Sequence, residues 1–98
     1  MATIVTNKLF NETNLLSLIV ENNIEGLKSL MVEIAAAVNT NWDIQNKNFK
    51  TMKALKVAGF GETAQYKKLH AVNQDIKGTN TAYNELLRKA SCALDELA

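Results

Sequence analysis

Apolar side chains recur at helical spacing through the first part of the chain. Beginning at Val20 they stand alternately four and three residues apart, at Val20, Ile24, Leu27, Met31, Ile34 and Val38. This alternation keeps one apolar seam on one face of a helix. Asn11 or Thr13 is a suitable N-terminal cap. The pattern predicts an amphipathic helix over residues 11–39, roughly 40 Å long at about 1.5 Å per residue.

The apolar pattern stops at residues 39–48, where four of the ten residues are asparagine. Asparagine and aspartate side chains compete with the helical hydrogen bonds of the backbone, so they favour turns and caps. This segment is therefore predicted to be the bend that reverses the chain. Trp42 lies inside it, and two interpretations stay open. The indole either folds over the open end of the core or is exposed and recognises a partner.

A second helical pattern follows the predicted bend. Gly59 and Gly61 around Phe60 predict a kink or a true loop in it, because glycine adopts backbone conformations that interrupt a helix. Beyond them the alternation of three and four residues resumes at Leu69, Val72, Ile76, Thr79, Tyr83, Leu86, Ala90, Ala93 and Leu97. We expect a helix over residues 62–96.

These elements predict an all-α protein with one domain, residues 1–98. Its architecture would be an antiparallel two-helix hairpin, with a kink or loop at 59–61. Two helices alone leave much of each seam in water, and burial of apolar surface contributes about 25 cal/mol per Å². We therefore expect a homodimer or a complex with another helical protein, completing a four-helix bundle. The predicted partner-binding residues are Trp42, Val20, Ile24, Leu27, Met31, Ile34, Leu69, Val72, Ile76, Tyr83 and Leu86.

Charge and hydropathy narrow the possible classes of protein. Eleven basic residues against ten acidic ones give a net charge of +1, whereas nucleic-acid-binding proteins usually show a basic excess. No apolar run approaches the roughly 20 residues that a membrane helix needs. The segment Met1–Phe10 lacks the charged start and apolar core of a secretory signal. We expect synthesis and folding in the cytoplasm, and export without a cleavable signal stays open.

Residues that could carry chemistry are few. His70 is the single histidine and has no acidic residue three or four positions away, so no metal pair of helical spacing forms. Cys92 is the single cysteine and is expected to be a small buried residue. On one helix it would lie about 30 Å from His70, too far for a nucleophile and its base. We expect no catalytic, metal-binding or cofactor-binding residue, and therefore no enzyme.

Lysines are concentrated in one region of the chain. Residues 47–68 hold six lysines and one acidic residue, Glu62, whereas the preceding helix is mainly acidic. Three interpretations stay open: a solvated face, a patch that steers a partner, or a surface for anionic lipid or nucleic acid.

The layout resembles the W-x-G family of small helical-hairpin proteins handled by the type VII (ESX-type) secretion system. The resemblance covers nearly the whole chain. It rests on the length of 98 residues, the long first helix, Trp42 in the bend, and Tyr83 late in the second helix. The glycine of the Trp-x-Gly motif is replaced by Ile44, and Leu87 stands where the family's Tyr-x-x-x-Asp/Glu tail signal has an acid.

With these departures the chain is most similar to the accessory proteins encoded beside LXG toxins. The resemblance implies that it binds the helical N-terminal region of such a toxin and helps to target it for export. Two alternatives stay open. One is a secreted W-x-G-like substrate that forms a homodimer or heterodimer. The other is a bacteriocin-immunity or toxin-neutralising helical bundle.

Overall fold

A computed structural model describes residues 4–98 as three helices. The helices are α1 Glu12–Val20, α2 Ile24–Val57 and α3 Ala64–Leu97. No strand occurs between residues 4 and 98, and no helix there is long and apolar enough to cross a membrane. The predicted all-α class is confirmed, but the described part of the chain forms three helices rather than two. The prediction drawn from Met1–Phe10 about a signal sequence rests partly on three residues outside the described range.

The molecule is a rod built on the long antiparallel pair of α2 and α3. Its dimensions are 55 × 18 × 17 Å, and its radius of gyration is 17.1 Å, compared with about 13 Å for a compact domain of this length. The short helix α1 packs against one end of the pair. We call that end, together with α1, the covered half (α1 and residues 24–41 and 80–97). The other end, which carries the loop between α2 and α3, is the open half (residues 44–57 and 64–76).

The bend predicted at residues 39–48 is wrong, because α2 runs through this segment without interruption. Asn41 and Asn48 do not face solvent. Both are buried, with 0% and 7% of their surface exposed, and they continue the inward-facing stripe of α2. Their side chains find partners on α3, so they do not compete with the helical backbone as they would in water.

The chain reverses direction at residues 58–63. Gly59 has a φ of 92°, the left-handed conformation that glycine adopts without steric penalty. The N–H groups of Phe60 and Gly59 donate to the carbonyls of Leu55 (2.7 Å) and Lys56 (3.1 Å), which is the Schellman pattern of a helix C-terminus. The feature predicted at 59–61 is therefore a loop between two helices rather than a kink.

The predicted first helix, residues 11–39, is also divided. Asn22 has a φ of 53°, and the N–H of Asn23 donates to the Leu18 carbonyl at 2.9 Å, so α1 ends in the same motif. The Asn23 side chain then caps α2 by accepting from Gly26 N at 2.8 Å. A Cβ at Gly26 would lie 2.8 Å from the Leu18 side chain, so glycine allows α1 to fold back closely onto α2.

The main hydrophobic core lies in the covered half. Its buried members are Leu15, Leu27, Leu30, Ile34, Ala37, Val38, Tyr83, Leu86 and Ala90. They come from all three helices, which accounts for the position of α1. Phe10, just before α1, packs its ring edge-on against Tyr83 with 5.3 Å between centroids. The open half has buried apolar residues as well, among them Ile44, Met52 and Ile76, but they stand outside this cluster.

Candidate functional site

The predicted partner-binding residues fall into three groups by exposure. The buried ones are Leu27, Ile34, Ile76, Tyr83 and Leu86. The half-buried ones are Ile24, Met31, Trp42, Leu69 and Val72. Val20, at the end of α1, is 74% exposed and does not belong to the seam. Since the seams of α2 and α3 bury each other, they do not by themselves require a second chain.

Trp42 lies near the middle of α2 rather than in a bend. It is half-buried and packs against the core cluster of the covered half. The interpretation that it closes the end of a hairpin is therefore wrong, because the reversal of the chain lies at residues 58–63. A contribution of Trp42 to partner binding stays a prediction.

Two pairs of buried asparagines connect α2 and α3. Asn41 Nδ2 donates to Asn80 Oδ1 at 3.1 Å, and Asn80 Nδ2 donates to the Val38 carbonyl at 3.1 Å. In the second pair Asn48 Nδ2 donates to Asn73 Oδ1 at 3.0 Å. Between residues 4 and 98, no buried side-chain nitrogen or oxygen lacks a hydrogen-bond partner. The asparagines are thus satisfied inside the helix pair.

The spacing of these pairs determines the register of the two helices. The asparagines of each helix stand seven residues apart, 41 and 48 on α2 and 73 and 80 on α3. A slip of one helical turn would separate both pairs and break both buried amide–amide hydrogen bonds, so these pairs favour one register. The heptad spacing of these asparagines was the signal in the sequence, and the interpretation of asparagine as a turn former missed it.

Asn41 has a second role, because it holds the N-terminal segment. Val5 N donates to Asn41 Oδ1 at 2.6 Å, and Asn41 Nδ2 donates to the Val5 carbonyl at 3.0 Å. Asn7 N donates to the hydroxyl oxygen of Tyr83 at 3.3 Å. These bonds direct the segment along the α2–α3 pair toward the position where α1 begins.

In the covered half, α1 occupies the groove between α2 and α3. Leu15 points into the core and is 3% exposed. At the edge, the Glu12 carboxylate of α1 pairs with Lys89 Nζ on α3. A short amphipathic helix with an acidic residue at its edge therefore closes this half.

In the open half, the residues of α2 and α3 border a groove of about 630 Å³. Its lining residues are Ile44, Lys47, Asn48, Thr51, Leu55, Gln65, Lys68 and Leu69. Ile44 forms a buried part of the wall, Leu55 and Leu69 are half-buried, and Lys47 and Lys68 are exposed. The groove is thus apolar inside and has a lysine on each helix.

Charge differs in sign between the two halves. The open half and its loop (residues 44–76) contain six lysines and two carboxylates, whereas the rest of the chain contains five basic and eight acidic residues. The net charge of the whole chain is close to zero because a basic open half and an acidic covered half nearly cancel. Lys67 and Lys68 extend the basic region onto α3, so the lysine cluster seen in the sequence is a property of one end of the rod.

His70 and Cys92 are not among the residues that line the groove of the open half. Between residues 4 and 98, no three His, Cys, Asp or Glu side chains are grouped so that they could hold a metal ion. Cys92 is exposed, so the expectation that it is buried is wrong. Arg88 lowers the pKa of Glu85 through a side-chain hydrogen bond, and Glu85 in turn raises the pKa of Arg88. Both groups lie on the surface of α3, within a local ion pair.

Comparison of the chain with models of known protein families, with curated proteins and with solved structures gave no match. The groove of the open half and the charge difference between the two halves are therefore the features on which a functional proposal rests.

Proposed function

We propose that the chain is a helical adaptor that binds a helical segment of another protein through its open half. One observation carries this proposal. The same pair of helices is closed by α1 at one end, whereas at the other end an apolar groove lined by Leu55 and Leu69 faces solvent. Partner helices bind to such grooves through a strip of apolar side chains. The proposal is of a binding protein rather than an enzyme.

For the identity of the partner, we propose the helical N-terminal region of an LXG toxin. Support comes from the resemblance to the accessory proteins of type VII secretion, in chain length, helical content and Tyr83 late in the last helix. Packing of one toxin helix into the groove between α2 and α3 would give the open half a third helix, as α1 does in the covered half. The chain would then act in the cytoplasm, and it would leave the cell, if at all, together with the toxin.

Co-expression tests this function directly. The chain is produced with the tagged N-terminal helical region of an LXG toxin. We expect the two to co-purify, and Leu69→Asp in the groove to abolish co-purification. Val32→Asp is the matched control, because Val32 is an exposed apolar residue (69% exposed) of the covered half. Absence of co-purification with the unaltered chain would refute the proposal.

A second candidate is a secreted substrate that forms a dimer of identical chains. The charge difference between the halves favours it, because two antiparallel rods would place each basic half against an acidic half. Accumulation of the chain in the culture medium, dependent on the secretion system, together with a mass in solution twice the 10.8 kDa of one chain, would favour this candidate over the adaptor.

A further inference from the structure

We propose that the groove of the open half binds one amphipathic helix of a partner protein, about three turns long, with an acidic residue placed to pair with Lys68. The inference rests on the proposed function, because it assumes that the groove receives a protein helix. It adds where that helix lies, which face it buries and which charge it carries. The occupant takes in the open half the place that α1 takes in the covered half.

The covered half shows what such an occupant looks like. α1 is nine residues long, buries Leu15 almost completely and pairs its Glu12 with Lys89. Its C-terminal part lies close to α2, since a Cβ at position 26 would approach the Leu18 side chain to 2.8 Å. A short apolar strip, an acidic edge and a lysine of α3 are thus the contacts through which α1, tethered to α2 by residues 21–23, lies in this groove.

The open groove lies three heptads farther along the rod than the groove that α1 occupies, at equivalent positions of α2 and α3. Lys68 precedes Lys89 by 21 residues on α3, and Thr51 follows Leu30 by 21 residues on α2. The two asparagine pairs show that both helices keep a heptad register with each other, so residues separated by whole heptads face the same side of the pair. Lys68 therefore stands at the open groove as Lys89 stands beside Glu12.

Charge and length define the occupant further. All ion pairs found among residues 4–98 lie in the covered half, while the open half carries the excess of lysines. Acidic residues on a partner helix would complement this excess and accelerate association. The groove extends along α2 from Ile44 to Leu55, which at about 1.5 Å per residue corresponds to roughly three helical turns.

The test uses a synthetic peptide with the sequence of residues 9–22, which contains α1, labelled for fluorescence anisotropy. The full chain is titrated into the peptide at low salt. We expect saturable binding that Lys68→Glu weakens about tenfold. A second peptide carries the change Glu12→Lys. It should bind the Lys68→Glu chain about as tightly as the first peptide binds the unaltered chain. Lys77→Glu, an equal change at an exposed position of α3 outside the groove, should have little effect, and circular dichroism checks that each variant is folded.

A matching map of the contact comes from ¹⁵N NMR spectra of the full chain. On addition of the first peptide, the signals of the groove residues Thr51, Leu55 and Leu69 should shift, whereas the indole signal of Trp42 should not. Binding that is insensitive to Lys68→Glu and Leu69→Asp, or shifts centred elsewhere, would overturn the proposal.

Other occupants give different results, and each would also overturn it. If Leu69→Asp converts a dimer of the chain into a monomer, the groove holds a second copy. If vesicles of anionic phospholipid bind the chain more tightly than the peptide does, and Lys68→Glu abolishes that binding, the groove serves a membrane surface.

The inference and the proposed function can fail separately. Peptide binding in the expected groove, without co-purification of the toxin region, would leave the inference standing and remove the toxin as partner. Co-purification of the toxin region with the Lys68→Glu and Leu69→Asp chains, at the level of the unaltered chain, would keep the function and remove the groove.

Discussion

The covered and open halves of the rod are built from the same two helices but are closed in different ways. In the covered half α1 adds a third layer, and Leu27, Ile34 and Ala90 are completely buried. In the open half two helices meet without that layer, and the groove beside Leu55 and Leu69 faces solvent. The comparison separates two tasks: the covered half supplies most of the apolar burial, and the open half presents a surface.

The buried asparagine pairs explain how α2 and α3 keep one register along the whole rod, although the open half lacks a third helix. Apolar side chains pack in several registers at similar free energy, but a buried amide needs its partner at one place. One asparagine pair lies in each half of the rod, so the open half is aligned even though it buries less. This arrangement favours specificity over maximal stability.

The largest expected effect on the free energy of unfolding comes from replacing an apolar side chain with alanine, and it should differ between the halves. Ile34→Ala in the covered half should lower the free energy of unfolding by about 2–5 kcal/mol, because it leaves a cavity in the core. Leu55→Ala in the open half should lower it by less than about 1.5 kcal/mol, because Leu55 already contacts solvent. Urea denaturation measures both, and equal losses would contradict the division between the halves.

Replacement of Trp42 tests whether this residue mainly stabilises the core of the covered half or mainly binds the partner. Trp42→Ala should lower the free energy of unfolding by about 3 kcal/mol, since the half-buried indole packs against the core there. Binding through the open half should persist under conditions in which the variant is folded. Loss of partner binding with unchanged stability would instead support the sequence-based prediction that Trp42 recognises the partner.

The asparagine pairs should have a smaller effect on stability. Asn80→Ala removes the acceptor of the Asn41 amide and the donor to the Val38 carbonyl, so it should destabilise the chain by about 2 kcal/mol. Asn84→Ala, at an exposed position of the same helix, is the control and should change stability by less than about 0.5 kcal/mol.

Replacement of a complete pair asks what the amides contribute beyond stability. Asn48→Leu combined with Asn73→Leu should leave the free energy of unfolding unchanged or raise it, while relaxing the register or the association state. Sedimentation should then show more than one species. A single species of unaltered mass, with unaltered NMR contacts between α2 and α3, would refute the register role.

The smallest effects come from surface charge. Glu12→Gln breaks the pair that joins α1 to α3 and should cost about 0.5 kcal/mol at low salt, and less at high salt, because exposed ion pairs are screened. An effect on stability that does not change with salt would show that the loss of packing rather than of charge is responsible.

The Glu85–Arg88 ion pair lies within α3, whereas the Glu12–Lys89 pair joins two helices. The contribution of the Glu85–Arg88 pair is measured by following the free energy of unfolding as a function of pH. Arg88 holds the pKa of Glu85 below its ordinary value of 4.5. A depressed carboxyl pKa stabilises the folded state above the unfolded value, and this contribution disappears as pH falls through the folded value. Glu85→Gln should therefore differ slightly from the unaltered chain near neutral pH and converge with it in acid. If the two chains still differ in acid, the ion pair between Glu85 and Arg88 is not the cause of the difference.

The sequence predicted the helical class and much of the seam, including Leu27, Ile34, Ile76 and Leu86, because heptad spacing of aliphatic residues is characteristic of helices that pack along one face. It also located the break at residues 59–61, where glycine is needed. It misplaced the reversal because asparagine is ambiguous: its amide caps helices at positions 11 and 23 but is buried in the middle of α2 at positions 41 and 48.

The candidate site was harder to predict for a different reason. The groove depends on where α1 ends and how little of the rod it covers, which follows from the left-handed Asn22 and the close approach at Gly26. Neither is a property of the apolar pattern. The lysines of the open half were visible as a cluster, but their concentration at one end depends on how α2 and α3 pair.

Amide hydrogen exchange of the free chain, read residue by residue, tests the central claim most directly, because it compares the two halves in one molecule. The account predicts that amides around Leu27, Ile34 and Leu86 exchange only through global unfolding, whereas those of residues 50–57 and 64–70 open locally and exchange faster. Addition of a helical partner should slow the second group. Uniform protection along α2 and α3 in the free chain, or faster exchange in the covered half, would contradict the account.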